Sequence, residues 1–309
     1  MNKDLISGFD LSEQDIENIF SLTSKLKKKK MDNCLKNKTI GLVFQKPSVR
    51  TRVSFEVGAR QLGANCLYLA PHDIELGSRE PLKDVARVLC RYLDGIIART
   101  FAHEHVIELA KYADIPVING LSDLYHPAQA LADIYTIWEQ GNKLKGVKLV
   151  YIGDGNNVVN SLLAICAKVG MDFTVATPKG YEPNKQIWSD AQKIAKQNKS
   201  KLIHCYDPKV AVKCADFIYS DVWTSMGQEK EAVKRIKVFK PYQINAELLK
   251  SVGKQYKIMH CMPIHRGQEM TDEVVESEQS IIFDQAENRM HVQKAVMALL
   301  LGSKSKVKS

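Results

Sequence analysis

The feature that most constrains this chain is a set of short, unbroken apolar runs. They form the middles of TIGLVF at 39–44, GIIART at 95–100 and KLVYI at 148–152, with shorter ones at 217–219 and inside 257–261. A strand with one wet face alternates polar and apolar residues, whereas an unbroken apolar run is buried on both faces. Between these runs lie segments of helical period. They cover 12–29, with Ser12 and Asp15 as a capping pair, then 51–62, 81–93 opened by Pro81, 104–112, 126–141, 158–169 and 285–301. Further strands are expected at 66–69, 116–119, 173–176 and 202–206. Strand alternating with helix predicts an α/β protein built on parallel sheets.

A length of 309 residues with 45% hydrophobic content fits about two packed domains. The polar, glycine-containing segment EQGNKLKG at 139–146 is the expected boundary. This gives a first domain over 1–140, a second over 146–284, and a final helix over 285–309 packing back on the first. No apolar run approaches the roughly 20 residues needed to span a bilayer. The N-terminus also lacks the basic-then-apolar pattern of a secretory signal. Seven scattered cysteines without a CxxC pair read as reduced thiols of a cytoplasmic protein. Most of the net charge of +9 is local, in Lys25, Lys27, Lys28, Lys29 and Lys30 and in Lys304, Lys306 and Lys308. With no nucleic-acid-binding motif beside them, these read as solvated basic patches, and neither a nucleic-acid nor a membrane partner is expected.

In parallel sheets ligands sit beyond the carboxyl ends of strands, which directs attention to the residues after each run. The first run is followed by Gln45-Lys46-Pro47-Ser48-Val49-Arg50-Thr51-Arg52. A helix start offers free N–H groups, hydroxyls add donors, and guanidinium forks match phosphate oxygens. Arg50 and Arg52 diverge on a regular helix, so at least one of them reaches elsewhere. Arg99 ends the GIIART strand. His126-Pro127-Ala128-Gln129 opens a helix past another strand, and its imidazole could donate to a polarised carbonyl oxygen. In the second half, Gly153-Asp154-Gly155-Asn156-Asn157 is a partial dinucleotide fingerprint whose third glycine position is Val158, or else a tight turn exposing the Asn side chains. Asp221, at the head of Asp221-Val222-Trp223-Thr224-Ser225-Met226, suits an amine, or caps a helix. Cys261 in His260-Cys261-Met262-Pro263 could be a nucleophile or a plain thiol. Arg289 begins the last helix where it could meet an anion. No metal-ligand spacing is present.

Taken together, FQKPSVRTRVSFE, ARTFAHE, NGLSDLYHPAQALAD, GDGNNVVNSL, DVWTSMGQE, HCMPIHRGQE and AENRMHVQKAVM resemble the aspartate/ornithine carbamoyltransferase family, in order from about residue 38 to 301. The acceptor-side segments are similar to its ornithine branch. The resemblance implies two α/β domains joined by helices, one for carbamoyl phosphate and one for L-ornithine. It also implies a homotrimer, or a multiple of trimers, with no cofactor. By position, Ser48, Val49, Arg50 and Thr51 would hold the phosphate. Arg99, His126, Pro127, Ala128 and Gln129 would complete the carbamoyl phosphate site, with Arg289 closing it. Asn157, Asp221, Ser225 and Met226 would bind ornithine, and Cys261 and Met262 would lie between the substrates. Arg50, Thr51, Arg99, His126 and Cys261 would carry the chemistry, Cys261 as an orienting group. The chain departs from the family pattern at Val49, where Thr is common, and at Ala128, where Cys is common. Glu75 stands where some members have Gln, and a carboxylate there would repel a dianion. The sister acceptors are putrescine and N-acylated ornithines, and a dinucleotide-binding oxidoreductase is the alternative from another class.

Overall fold

In a computed structural model describing residues 1–29, 31–224 and 229–302, the chain forms two compact units. One comprises Met1–Ala132 with the chain from Asn288 onward, and the other Asp133–Glu287.

The first unit opens with α1 (Glu13–Lys28). Its N-terminus is closed by the expected capping box, in which Ser12 Oγ accepts from the Asp15 N–H and Asp15 accepts from the Ser12 N–H. There follow β1 (Thr39–Phe44), α2 (Val49–Gln61), β2 (Asn65–Leu69), the single turn α3 (Pro71–Ile74), α4 (Leu82–Leu89), β3 (Gly95–Arg99), α5 (His103–Tyr112), β4 (Val117–Leu121) and α6 (Pro127–Gly141). The four strands form a parallel sheet in the order β2-β1-β3-β4. Val43, Ile96, Ala98 and Val117 from the sheet pack with Val85, Val106 and Leu109 from its helices. Each valine, leucine or isoleucine among them contributes roughly 1.5–3 kcal/mol by leaving water.

The second unit continues with β5 (Lys148–Ile152), α7 (Asn157–Val169), β6 (Asp172–Ala176), α8 (Lys185–Asn198), β7 (Leu202–Cys205), the turn α9 (Pro208–Ala211) and β8 (Phe217–Ser220). Then come α10 (Ala232–Phe239), the turn α11 (Ala246–Leu249), β9 (Lys257–His260), the turn α12 (Asp272–Val275) and α13 (Ile282–Leu301). Its sheet is parallel throughout, in the order β7-β6-β5-β8-β9. These two parallel sheets flanked by helices are the architecture the apolar runs predict. The inner strands are buried along their length, whereas the edge strands β2 and β7 are partly exposed.

One helix ends earlier than the sequence reading places it. The helix after Pro81 stops at Leu89 instead of reaching Leu93, because the chain turns through Cys90–Leu93 to bring Asp94 against the Thr39 N–H and Lys38. The chain enters the second unit at Asp133, inside α6, ahead of the polar 139–146 segment. Asp133 is fully buried and accepts from Tyr219 Oη at 3.0 Å and Gln285 Nε2 at 2.7 Å, which ties this part of α6 to the second unit. The C-terminal part of α13 belongs to the first. There Lys294, with no exposed surface, donates to the Leu26 carbonyl and to Gln61 Oε1, fastening α13 to α1 and α2.

Candidate active site

In the first unit the functional residues gather where the strands end. Ser48 caps α2, its Oγ accepting from the Thr51 N–H at 3.3 Å, and lies 3.0 Å from Thr51 Oγ1. Thr51 is buried, and its hydroxyl accepts from two guanidinium groups, Arg99 Nη1 at 3.2 Å and Arg289 Nη2 at 2.6 Å. Arg99 stands at the end of β3, paired in register with Phe44 at the end of β1. Arg289 comes from α13. Gly120 in β4 permits this closeness, since a Cβ there would lie 3.2 Å from the Ala98 carbonyl and 3.6 Å from the Thr51 methyl.

The question raised by Arg50 and Arg52 is resolved by their directions. Arg52 lies over the Tyr68 ring at 3.9 Å and pairs with Glu56 at 3.2 Å. Arg50 is exposed at the head of α2, as is Val49 beside it.

His126 is buried immediately before α6, which Pro127 opens, and the helix then buries Ala128 and Gln129. Burial, with Arg289, Arg99 and Lys46 around it, holds the imidazole well below its usual range, so it is neutral at pH 7. Burial and the neighbouring Arg289 and Arg50 bring even Arg99 down to about 10. Lys46, which sequence reasoning passed over, is buried next to the motif with its ammonium 5.0 Å from the Phe101 ring centre. Burial and Arg99 lower it to about 8, against an opposing pull from Asp123. Cations this close and this dry repel one another, and a multiply charged anion relieves both the repulsion and the lost hydration.

The loops around this cluster are pinned. Gln45 donates to the Leu76 carbonyl at 2.7 Å and accepts from the Phe101 N–H at 2.9 Å. His103 joins Ser122 through Nδ1 at 2.9 Å, and its N–H donates to Asp123 at 2.8 Å. Glu75 is exposed and left-handed, with φ 40°, closing the short α3 turn. In the basic run, Lys27 donates to Asn288 and Lys29 pairs with Asp32. Lys30 and the lysines at 304, 306 and 308 lie outside the described residues.

In the second unit the register of β8 and β9 sets Ser220 beside His260, so the next residues, Asp221 and Cys261, are neighbours. Cys261 Sγ donates to Asp221 Oδ1 at 3.0 Å, the Val222 N–H donates to the same oxygen at 2.8 Å, and Asn156 Nδ2 donates to Oδ2 at 2.7 Å. Burial and the Asp221 carboxylate push the Cys261 thiol well above its usual range, so it is a donor and not a thiolate. Asn157 begins α7, its carbonyl accepting from Ser161 Oγ at 2.8 Å. Asn156, one residue earlier and missed in the sequence reading, does two jobs. Its Oδ1 accepts from the Val158 and Val159 N–H groups, capping α7, while its Nδ2 holds Asp221. Beside them Asp154 pairs with the buried Arg235, and withdrawal from water still pushes its carboxyl up to about 6. Met262 follows Cys261 with φ 62°. Ser225 and Met226 lie outside the described residues.

The glycine turn in this unit is not built for a dinucleotide. A Cβ on Gly155 would lie 2.5 Å from the backbone of Glu182 and Pro183, so this glycine serves chain packing. The helix N–H groups that a pyrophosphate would need are taken by Asn156. Among the described residues there is no cluster of metal-ligating side chains and no helix long and apolar enough to cross a membrane.

Comparison with known proteins assigns both halves of the chain to one family. Residues 3–139 match the family model described as the carbamoyl-P binding domain of aspartate/ornithine carbamoyltransferase, and residues 145–300 match its Asp/Orn binding domain. An ornithine carbamoyltransferase of Pyrococcus horikoshii is 51% identical over 305 residues, 97% of this chain and 96% of the relative. One from Bacillus subtilis is 51% identical over 97% of this chain and 94% of its own. The solved ornithine carbamoyltransferase of Pyrococcus furiosus superposes with a TM-score of 0.94 at 49% identity, covering 97% of each chain. That of Giardia lamblia gives 0.88 at 31% identity, over 97% of this chain and 98% of its own. Two family models that together span most of the chain, and this breadth of likeness, place the chain in the aspartate/ornithine carbamoyltransferase family.

Proposed function

We propose that this protein transfers the carbamoyl group of carbamoyl phosphate to the δ-amine of L-ornithine, giving L-citrulline and phosphate. One observation carries the reading. The Thr51 hydroxyl is gripped by two buried guanidiniums beside a neutral imidazole and a desolvated ammonium, at the N-terminus of a helix. Such a cluster suits a dianion, and this reading puts carbamoyl phosphate there.

In this reading the α2 N–H groups and Arg50 bind the phosphate. Thr51, Arg99 and the neutral N–H of His126 meet the carbonyl oxygen, with Gln129 toward the carbamoyl amide. The δ-amine attacks the carbonyl carbon, and negative charge gathers on that oxygen, where fixed donors stabilise it most. The bond to phosphate then breaks, the electron pair leaves with the phosphate, and a phosphate oxygen takes the amine's proton. The amine must arrive neutral although its solution pKa is near that of lysine, about 10.4. Asp221, oriented by Asn156, Val222 and Cys261, takes the α-ammonium of ornithine, with Asn157 and Met226 at the α-carboxylate. A high-pKa Cys261 suits an orienting donor and not a covalent nucleophile.

We further read the chain as a homotrimer acting in the cytoplasm, with a particle three times the 34.8 kDa chain as the expected result of light scattering.

The deciding assay measures product from carbamoyl phosphate with ornithine, putrescine, N-acetylornithine and aspartate in parallel. Preference for ornithine is expected. Putrescine lacks the carboxylate, and N-acetylornithine lacks the ammonium that Asp221 would hold. Turnover only with another acceptor would overturn the acceptor assignment while leaving the phosphate site in place.

A further inference from the structure

We infer that His260 and Glu269 are positioning residues for this reaction, a buried pair that fixes the loop carrying Cys261 and Met262. The inference rests on the acceptor-site reading above, because it acts through those two residues.

Both side chains are completely buried, and neither touches Asp221. His260 ends β9, and its backbone N–H donates to Gln285 Oε1 at 2.8 Å. Gln285 in turn donates to Asp133, which also takes the Tyr219 hydroxyl. The base of the loop is therefore rigid. From that base the imidazole turns forward, and Nδ1 accepts the Met262 N–H at 2.9 Å. An Nδ1 that accepts carries no proton, so the ring proton sits on Nε2, which lies 3.4 Å from Glu269 Oε1 without the alignment of a hydrogen bond. The same carboxylate oxygen takes the His265 N–H at 2.6 Å. The two buried side chains thus hold both ends of the 262–265 segment.

The loop needs such fixing. Met262 is left-handed, a conformation a side chain other than glycine adopts only when its surroundings impose it. Pro263 and His265 are exposed, so only the half-buried Met262 and Ile264 rest against the apolar core. Cys261, one residue before Met262, delivers its thiol to Asp221. Releasing the Met262 N–H lets that thiol move, and misplacements near 1 Å can cost about 100-fold in rate.

The test compares His260→Ala with His260→Asn, whose side-chain oxygen can take the place of Nδ1 as acceptor. His260→Ala should lower kcat/KM for ornithine by about 100-fold while KM for carbamoyl phosphate, whose phosphate the other unit would hold, changes less than about twofold. His260→Asn should recover most of the loss. Independently of turnover, 15N-histidine NMR of the wild-type protein should show His260 protonated on Nε2 alone. Wild-type rates from His260→Ala, a parallel rise in both KM values, no rescue by Asn, or an Nδ1–H tautomer would each overturn the inference. A wild-type protein inactive with ornithine would instead overturn the acceptor-site reading, and the tautomer measurement would still judge the His260 geometry.

Discussion

The charge states of three side chains decide what the candidate site can do. His126 is surrounded by cations and stays neutral, so it donates a hydrogen bond without titrating near neutrality. His126→Ala should lower kcat by about 10²–10³-fold, the usual loss for one oxyanion donor, with a smaller change in KM for carbamoyl phosphate. Steady-state kinetics separate the two. Lys46 does titrate in reach, at about 8 in the free protein. A bound dianion favours its charged form, so above that pH binding must take up a proton. KM for carbamoyl phosphate should therefore rise above about pH 8, by up to about tenfold per unit, and Lys46→Met should flatten the rise at a higher baseline. The stability sign is opposite. Between about 8 and its ordinary 10.5 the unfolded chain holds this proton more firmly than the native one, so this group adds stability as pH rises. For Cys261 the raised pKa predicts that Cys261→Ser, which keeps a donor toward Asp221, retains substantial turnover. A covalent acyl adduct on Cys261 trapped in mass spectrometry would refute the orienting role.

At the scale of elements, the start of α7 joins folding to function through one side chain. Asn156 caps the helix with its oxygen and holds Asp221 with its nitrogen. Asn156→Asp keeps the cap but sets two carboxylates against each other, so it should raise KM for ornithine and cost stability that returns as pH falls and one carboxyl is protonated. Asn156→Ala loses both functions and should also cost about 1 kcal/mol of stability, visible in calorimetry. The family resemblance points to Asn157 at this turn, whereas the part of Asn156 beside it is silent in a string because the cap and the bond to Asp221 exist only once the turn has folded. The strands were more legible, since double-sided burial leaves an unbroken apolar run that few other structures need. Thr39–Phe44 and Lys148–Ile152 lie where the runs place them. Lys46 was harder to read because lysine is usually exposed, and its burial depends on Phe101 and Arg99, which are distant in sequence. His260 and Glu269 were illegible for the same reason, as their pairing exists only once β9 and the following loop have folded.

For the whole molecule, the consequence of two units is that each ligand should have its own footprint. The chain passes between them inside α6 and inside α13. Asp133, in α6, belongs to the second unit, and Arg289, in α13, to the first. A phosphonate analogue of carbamoyl phosphate should therefore slow amide exchange at 45–52, at 99–103 and in the first turns of α6. It should also do so in α13 around Arg289, even though that segment is far from the others in sequence. Saturation at 100 times Kd stabilises the bound fold by about 2.7 kcal/mol, enough to be read as a raised melting temperature. Ornithine should protect 153–158, 221–224 and 260–265 instead. Hydrogen exchange followed by mass spectrometry resolves these segments. Protection by the phosphonate confined to the second unit would reverse the assignment of the two ligands. Protection at 45–52 without any at 287–291 would show that Arg289 supports Thr51 without meeting the anion.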